Sequence, residues 1–414
     1  MVSISHPSPK APPLQMWGQS AAARSLRPVL LLSAVSGVPL CRWRSTPLAT
    51  CRRAYSLAVT MGVLYLGFRA LQNAVFVASD KFWHRITVPG IVISTLMTVM
   101  TAGSILVLLS QCKKSFVEFI DDIEHMDTLL GRFPQRCDVK VRLFLTVMPA
   151  FILTLSIAAV TQCLYYRDNY FLATTIDNFI IFVILLQFLS LCLILGQKFK
   201  SVNQSMTADI RYEFMEKGSQ DLITLLRRYN AHSFFTVNQL RPTNQILTSL
   251  SDRIVKIQVF HLKLRKLASS LNDVYGPILT MLVIQNLAVT IECVTYVIIF
   301  VSYNVNVRTV EKVTCLLSIA VLVLQIASLV TICQSTSSEA KRTATLAEDL
   351  STLNVAGGGS EQLTRQLRQL SHQVRHSPVS FSACSLFMVD GRLLTGYVAA
   401  VVTYAIILMQ FTVE

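Results

Sequence analysis

Seven stretches of this chain are each long and apolar enough to cross a bilayer as a helix, and that leaves room for few other folds. They are residues 55–77, 86–109, 143–165, 171–196, 275–301, 313–333 and 393–411. About 20 apolar residues, rising about 1.5 Å each, cover the hydrocarbon core. Inside that core every backbone amide must find its partner within the protein, which a helix does unaided. The composition agrees. Hydrophobic residues make up 52% of the chain and charged residues 14%, against roughly 25% charged in soluble domains. Mean hydropathy is +0.52. So much apolar surface does not fit one soluble core, and with only 15 Gly and 13 Pro in 414 residues the chain is not a disordered one either. The predicted fold class is an all-α membrane protein with seven transmembrane helices. An earlier apolar run, 29–40, is too short to span and is interrupted by Gly37 and Pro39. Its leader carries Pro7, Pro9, Pro12 and Pro13, and Arg42, Arg44, Arg52 and Arg53 follow it. That pattern suits an interfacial segment better than a signal-peptide core.

The distribution of Lys and Arg sets the direction of threading. The N-terminal tail and the second, fourth and sixth loops hold 7, 6, 12 and 6 of them. The first, third and fifth loops hold 2, 1 and 2, the C-terminal tail holds none, and Arg69 lies inside the first span. By the positive-inside rule the N-terminus is cytoplasmic and the C-terminus is extracellular. The same asymmetry accounts for the net charge of +14. The basic residues lack the aromatic interleaving of a nucleic-acid-binding face, so no nucleic-acid partner is expected. The chain then divides into a cytoplasmic segment (1–54), helices one to four (55–196), a long cytoplasmic loop (197–274), helices five and six (275–333), a cytoplasmic loop with an approach helix (334–392), the seventh helix (393–411) and an extracellular tail (412–414).

The long loop is not a plain linker. Leu247, Leu250, Ile254, Ile257, His261, Leu264, Ala268 and Leu271 alternate spacings of three and four, which draws one apolar seam along a helix. That helix should pack on others in the cytosol and enter the fifth span at Gly276-Pro277. His261 sits on the seam, where a packed histidine is the favoured reading over a pH switch. Gly357, Gly358 and Gly359 lack the Lys-Ser/Thr pair of a phosphate loop and read as flexible chain. His372 and His376 have helical metal-ligand spacing without an acidic or cysteine partner, so no metal is expected there. The ten cysteines form no CxxC pair. No nucleophile–base pair is visible, so neither catalytic residues nor a cofactor are expected. The one glycosylation sequon, Asn203-Gln204-Ser205, falls on the cytoplasmic side and stays unused in this threading.

Two features point to function. The first is the last span, where Ala400, Thr403, Ile407 and Gln410 share one face at spacings of three, four and three. A small and polar stripe on a membrane helix asks for close helix neighbours or for water, and the sharper reading is a pore wall supplied once by each of several subunits. The second is a set of ionisable residues inside spans, which are costly there and mark pathways or pockets. Arg69, Asp177 and Glu292 all lie in the outer half by this threading, with Arg69 a candidate ion-pair partner for either carboxylate. Gln72, Gln162, Thr175 and Tyr296 lie at similar depth. Together these seven are the ligand-pocket candidates, and a structural ion pair holding the bundle is an equally weighted alternative.

The end of the chain also carries a specific likeness. Thr403-Tyr404, five apolar residues, then Gln410-Phe411 resembles the C-terminal signature of insect gustatory receptors. Phe381, Phe387, Asp390, Gly391 and Leu393-Leu394 are similar to that family's approach to its last helix. So is Ser25-Leu26-Arg27-Pro28 to its N-terminal entry, and His261, Leu271-Asn272 and Tyr275-Gly276 to its approach to the fifth span. The resemblance implies a ligand-gated, non-selective cation channel in the plasma membrane of taste neurons. It implies a tetramer, homomeric or formed with related receptors, whose seventh helices line the pore and whose cytosolic helix ends form a shared anchor. It also implies that Phe411 acts as a hydrophobic plug and Gln410 as a polar ring at the extracellular constriction, and that a small-molecule tastant is the partner. Sugar-sensing members carry an acidic residue after the TY pair. Ala405 stands there in this chain, so the resemblance implies a bitter or other non-sugar ligand. Two other classes stay open at this point: a membrane transporter, and a G-protein-coupled receptor, which needs the opposite threading.

Overall fold

The computed structural model describes residues 21–38, 47–77, 81–111, 123, 169–216, 250–302, 309–356 and 360–413. The third expected span, Gln162 within it, and Leu247 lie outside these residues. The described elements are α1 (Ala21–Val35), α2 (Pro47–Val77), α3 (Lys81–Gln111), α4 (Asn169–Glu216), α5 (Leu250–Ser302), α6 (Thr309–Ala356), α7 (Glu361–His376), the short strands β1 (Ser382–Ala383) and β2 (Phe387–Met388), and α8 (Gly391–Val413). Six of them (α2, α3, α4, α5, α6 and α8) are long and apolar enough to cross a membrane. They overlap six of the seven expected spans, and the fold is that of a helical membrane protein.

Three helices continue well past the length a bilayer requires. α4 and α6 have 48 residues each and α5 has 53, so each is about 70–80 Å long. Their extensions pack together and carry α7. The seam explains why. Ile254, Ile257, His261, Leu264, Ala268 and Leu271 are all buried, while Arg253, Lys256, Lys263 and Lys266 between them are exposed. On α7, Leu363, Leu367, Leu370 and Val374 repeat the pattern and face inward, and Gln258 of α5 donates to the Gln366 carbonyl at 3.0 Å. Asn354 at the end of α6 donates to the Ser360 carbonyl and to Thr364 Oγ1, both at 2.8 Å, closing the turn into α7. Glu348 of α6 accepts from Ser371 at 2.7 Å and pairs with Arg375. His372 and His376 stack on the exposed face of α7, ring centroids 4.0 Å apart.

His261 is 1% exposed. Its ring packs on Phe199 with centroids 5.2 Å apart, and its Nε2 lies 3.4 Å from the Ala340 carbonyl. This is a histidine held in helix packing. Burial, offset in part by that carbonyl, holds its pKa below the usual 6.5, with the nearby Arg265 adding to the depression. A histidine kept neutral in the fold stabilises above its unfolded pKa and loses that contribution as pH falls below it. The melting temperature of the detergent-solubilised protein should therefore drop more steeply between pH 7 and 5 than that of His261→Leu.

The short N-terminal run forms helix α1, whose Leu26, Val29 and Leu32 enter the main core against α4. Gly37 ends it with φ +74. Val38 N bonds to the Ser33 carbonyl at 3.1 Å, the 6→1 closure of a Schellman turn. A Cβ on Gly37 would lie 2.6 Å from Val59 Cγ2, so α2 packs directly on this turn.

The sequon also takes a different meaning. Asn203 is buried on α4, where it accepts from Thr343 Oγ1 at 2.7 Å and donates to the Glu339 carbonyl at 2.9 Å. An asparagine committed to these bonds within a helix is closed to a glycan on either side of a membrane. The absence of sugar there is thus no measure of threading.

One element departs from the all-α expectation. Residues 382–388 form a small antiparallel hairpin, Ser382 opposite Met388 and Ala383 opposite Phe387. Strands of two residues are too short for alternation to reveal them in sequence. Cys384 and Ser385 turn the loop with φ 50 and 58. The hairpin is seated on α5: Ser382 N donates to Asn272 Oδ1 at 2.8 Å, and a Cβ on Gly276 would come within 3.3 Å of Cys384 N. Phe188 of α4 fills the space beneath it, 5.3 Å from the Tyr275 ring and edge-on to Phe381 at 6.0 Å.

Candidate functional site

The hairpin delivers the chain into α8, and α8 is unlike the other spans. Ala400, Thr403, Ile407 and Gln410 are all exposed, and Tyr404 and Ala405 are half-buried. Phe411 lies in the same helix; only its backbone is described. Among the described residues of α8, Tyr397 is the single buried side chain. A helix that presents Thr403 and Gln410 outward is poorly suited to hydrocarbon, because each polar group left unsatisfied in lipid costs several kcal/mol. The stripe suits water or a second protein surface.

Tyr397 is 4% exposed and enters a buried polar network. Its hydroxyl donates to Asn286 Oδ1 of α5 at 2.6 Å and lies against Thr290 Oγ1 at 2.5 Å. The Asn286 amide nitrogen donates to Gln325 Oε1 of α6 at 2.8 Å and to the Leu322 carbonyl at 3.3 Å. One amide on α5 is thereby held by α6 at its nitrogen and by α8 at its oxygen.

A second polar locus lies among α2, α3 and α4. Asp177 of α4 is 2% exposed, and Thr98 Oγ1 of α3 donates to its Oδ2 at 2.8 Å. Gly67 of α2 makes room for this pair, since a Cβ there would stand 2.5 Å from Thr98 Cγ2 and 2.7 Å from its Oγ1. Arg69 is two residues on, about 200° around the helix, and it is exposed, as is Gln72. Of the two carboxylates that Arg69 was a candidate to pair with, Asp177 takes the Thr98 hydrogen bond, and the face of α2 that meets α3 is the Gly67 face. Thr175 is half-buried near Asp177, and Glu292 and Tyr296 are half-buried on α5. Below this level, Ser104 of α3 touches Met281 of α5 at 3.6 Å. Beside that contact Thr101 Oγ1 and both polar atoms of Gln285 are buried without a hydrogen-bond partner among the described residues. Such orphans cost about 1–3 kcal/mol each, and a polar guest relieves that cost.

Gly67→Val should push Thr98 off Asp177 and strand the carboxyl. A lower melting temperature of the solubilised protein is the expected result, and Gly67→Ser should show a milder loss.

Sequence comparison and fold comparison converge. A family model described as 7tm Chemosensory receptor matches residues 26–414. The chain belongs to the 7tm chemosensory receptor family. No curated protein matches this receptor significantly in sequence. Its fold is similar to that of the insect olfactory receptor OR5 from Machilis hrabei, with a TM-score of 0.55 at 11% identity, covering 94% of this chain and 98% of that one. The structure of OR5 in complex with eugenol matches with a TM-score of 0.53 at 12% identity and the same coverage. At such identity the likeness establishes the receptor's fold.

The residues of the receptor that charge-based reasoning passed over are Thr98, Thr101, Gln285, Asn286, Thr290, Gln325 and Tyr397. Their signal was present as neutral amides and hydroxyls inside apolar runs, most visibly the Gln285-Asn286 pair. Attention to ionisable groups alone misses them.

Proposed function

We propose that this receptor is one subunit of a ligand-gated, non-selective cation channel of the gustatory type, residing in the plasma membrane with its N-terminus in the cytosol. The observation that carries the reading is α8. It bears the Thr403-Tyr404 and Gln410-Phe411 signature and holds the stripe Ala400, Thr403, Ile407 and Gln410 exposed in the single chain. Four such helices around an axis give each polar face water or a neighbouring subunit. Gln410 forms the polar ring and Phe411 the apolar constriction. The cytosolic extensions of α4, α5 and α6 with α7 form the shared anchor.

The tastant enters from outside. Asp177 with Thr98, and Thr175, Glu292 and Tyr296 at comparable depth, are the polar contacts of its pocket, and Thr101 and Gln285 form its floor. The ligand is a small non-sugar molecule, as Ala405 in the signature suggests. The structure of OR5 in complex with eugenol makes an aromatic phenol a ligand class to test. Binding shifts the closed–open equilibrium only by its differential affinity for the open state.

Whole-cell recording in a heterologous cell lacking added signalling partners tests this. A screen of bitter, phenolic and sugar compounds should yield a fast cation current to at least one non-sugar compound. A response that appears only with a co-expressed G protein, or electrogenic uptake without channel openings, sinks the channel reading.

A further inference from the structure

We propose that the Tyr397 hydroxyl is a latch through which α5 and α6 position the pore helix. The proposal rests on the channel reading above. Two hydrogen-bonded points tie α8 to α5, beside its contact with α6 and the apolar packing of Leu393, Leu394 and Val401 on the core. At its start, Val389 N bonds to the Phe381 carbonyl at 2.9 Å within the hairpin that sits on Asn272 and Gly276 of α5. Six residues into the helix, Tyr397 reaches the Asn286 amide and Thr290. Beyond Tyr397 every described side chain of α8 is exposed or half-buried.

Distance makes this consequential. Gln410 lies 13 residues past Tyr397, about 20 Å along the axis. A tilt of about 5° at Tyr397 moves the Gln410 position by about 2 Å, enough to widen a constriction built of side chains. Tyr397 is thus placed as a fulcrum, with the constriction at the far end of the lever.

The bonding inventory shows what sets the fulcrum. The Asn286 side chain has both its N–H groups engaged, with Gln325 Oε1 and the Leu322 carbonyl, while its oxygen accepts from Tyr397. Any slide of α6 along α5 turns this amide and so moves the oxygen that Tyr397 grips. Tyr397 touches neither ion nor ligand; it is a positioning residue that conveys the relation of α5 and α6 to α8. The network is uncharged, so it re-forms or breaks without the large desolvation cost of an ion pair.

Tyr397→Phe removes the hydroxyl and keeps the ring. Purified protein in planar bilayers is recorded without ligand and again with eugenol as probe, beside surface labelling in cells. The open probability of Tyr397→Phe should differ from wild type about tenfold, the scale of one or two buried hydrogen bonds, at an unchanged surface level. Asn286→Leu should shift it the same way, and the double variant should go no further than the larger single. An unchanged open probability in Tyr397→Phe overturns the latch, as do additive effects in the double variant. A wild-type protein with no openings in either condition overturns the channel reading on which the latch depends.

Discussion

Phe411→Ala is expected to raise the ligand-free current of the receptor, and Gln410→Ala to change its conductance, with surface expression intact in both. The proposed pore closes where the apolar rings of Phe411 crowd out water. Truncating each ring removes a favourable apolar contact of about 1.5–3 kcal/mol per fully buried side chain, so closing weakens by roughly tenfold or more. Gln410 is exposed on the stripe, and on this reading it faces permeating cations. Alanine there deletes one amide per subunit from the ring and should lower unitary conductance several-fold while leaving ligand sensitivity nearly unchanged. Single-channel recording separates the two effects. Normal basal current and normal conductance in both variants place the constriction elsewhere.

The largest effect on stability should come from Phe188→Ala. Phe188 is fully buried and lies between Tyr275 of α5 and Phe381 ahead of the hairpin. It joins α4, α5 and the segment that aims α8. Removing such a ring costs about 3–5 kcal/mol, a large part of the margin of most folds. The variant should reach the surface poorly, and what is solubilised should melt many degrees lower. Phe188→Leu should recover most of the loss. Wild-type expression and melting in Phe188→Ala would show that the hairpin is held by Asn272 and Gly276 alone.

Much of the architecture was legible because membrane helices advertise themselves. Helices overlap six of the expected spans, since a helix satisfies its own backbone amides in lipid. The seam from Ile254 to Leu271 was equally plain, because alternating spacings of three and four leave one inward face. Three features were not legible. The hairpin at 382–388 is too short to show a period. Which face of α2 meets α3 depended on Gly67, a residue that speaks through what it lacks, so the exposed position of Arg69 could not be read from depth alone. The Tyr397 network joins Tyr397, Asn286, Gln325 and Leu322 in uncharged pairs 36 to 111 positions apart, and sequence spacing carries no trace of that.

Substituted-cysteine accessibility along α8 tests the central claim most directly. Single cysteines at positions 398, 400, 402, 403, 406, 407, 409 and 410 are exposed to a water-soluble, charged thiol reagent during channel activation. Block of the current confined to 400, 403, 407 and 410 is the predicted result, with the remaining four positions insensitive. Modification that leaves the current unaltered at all eight positions, or block that follows 398, 402, 406 and 409 instead, contradicts α8 as the wall of the ion path.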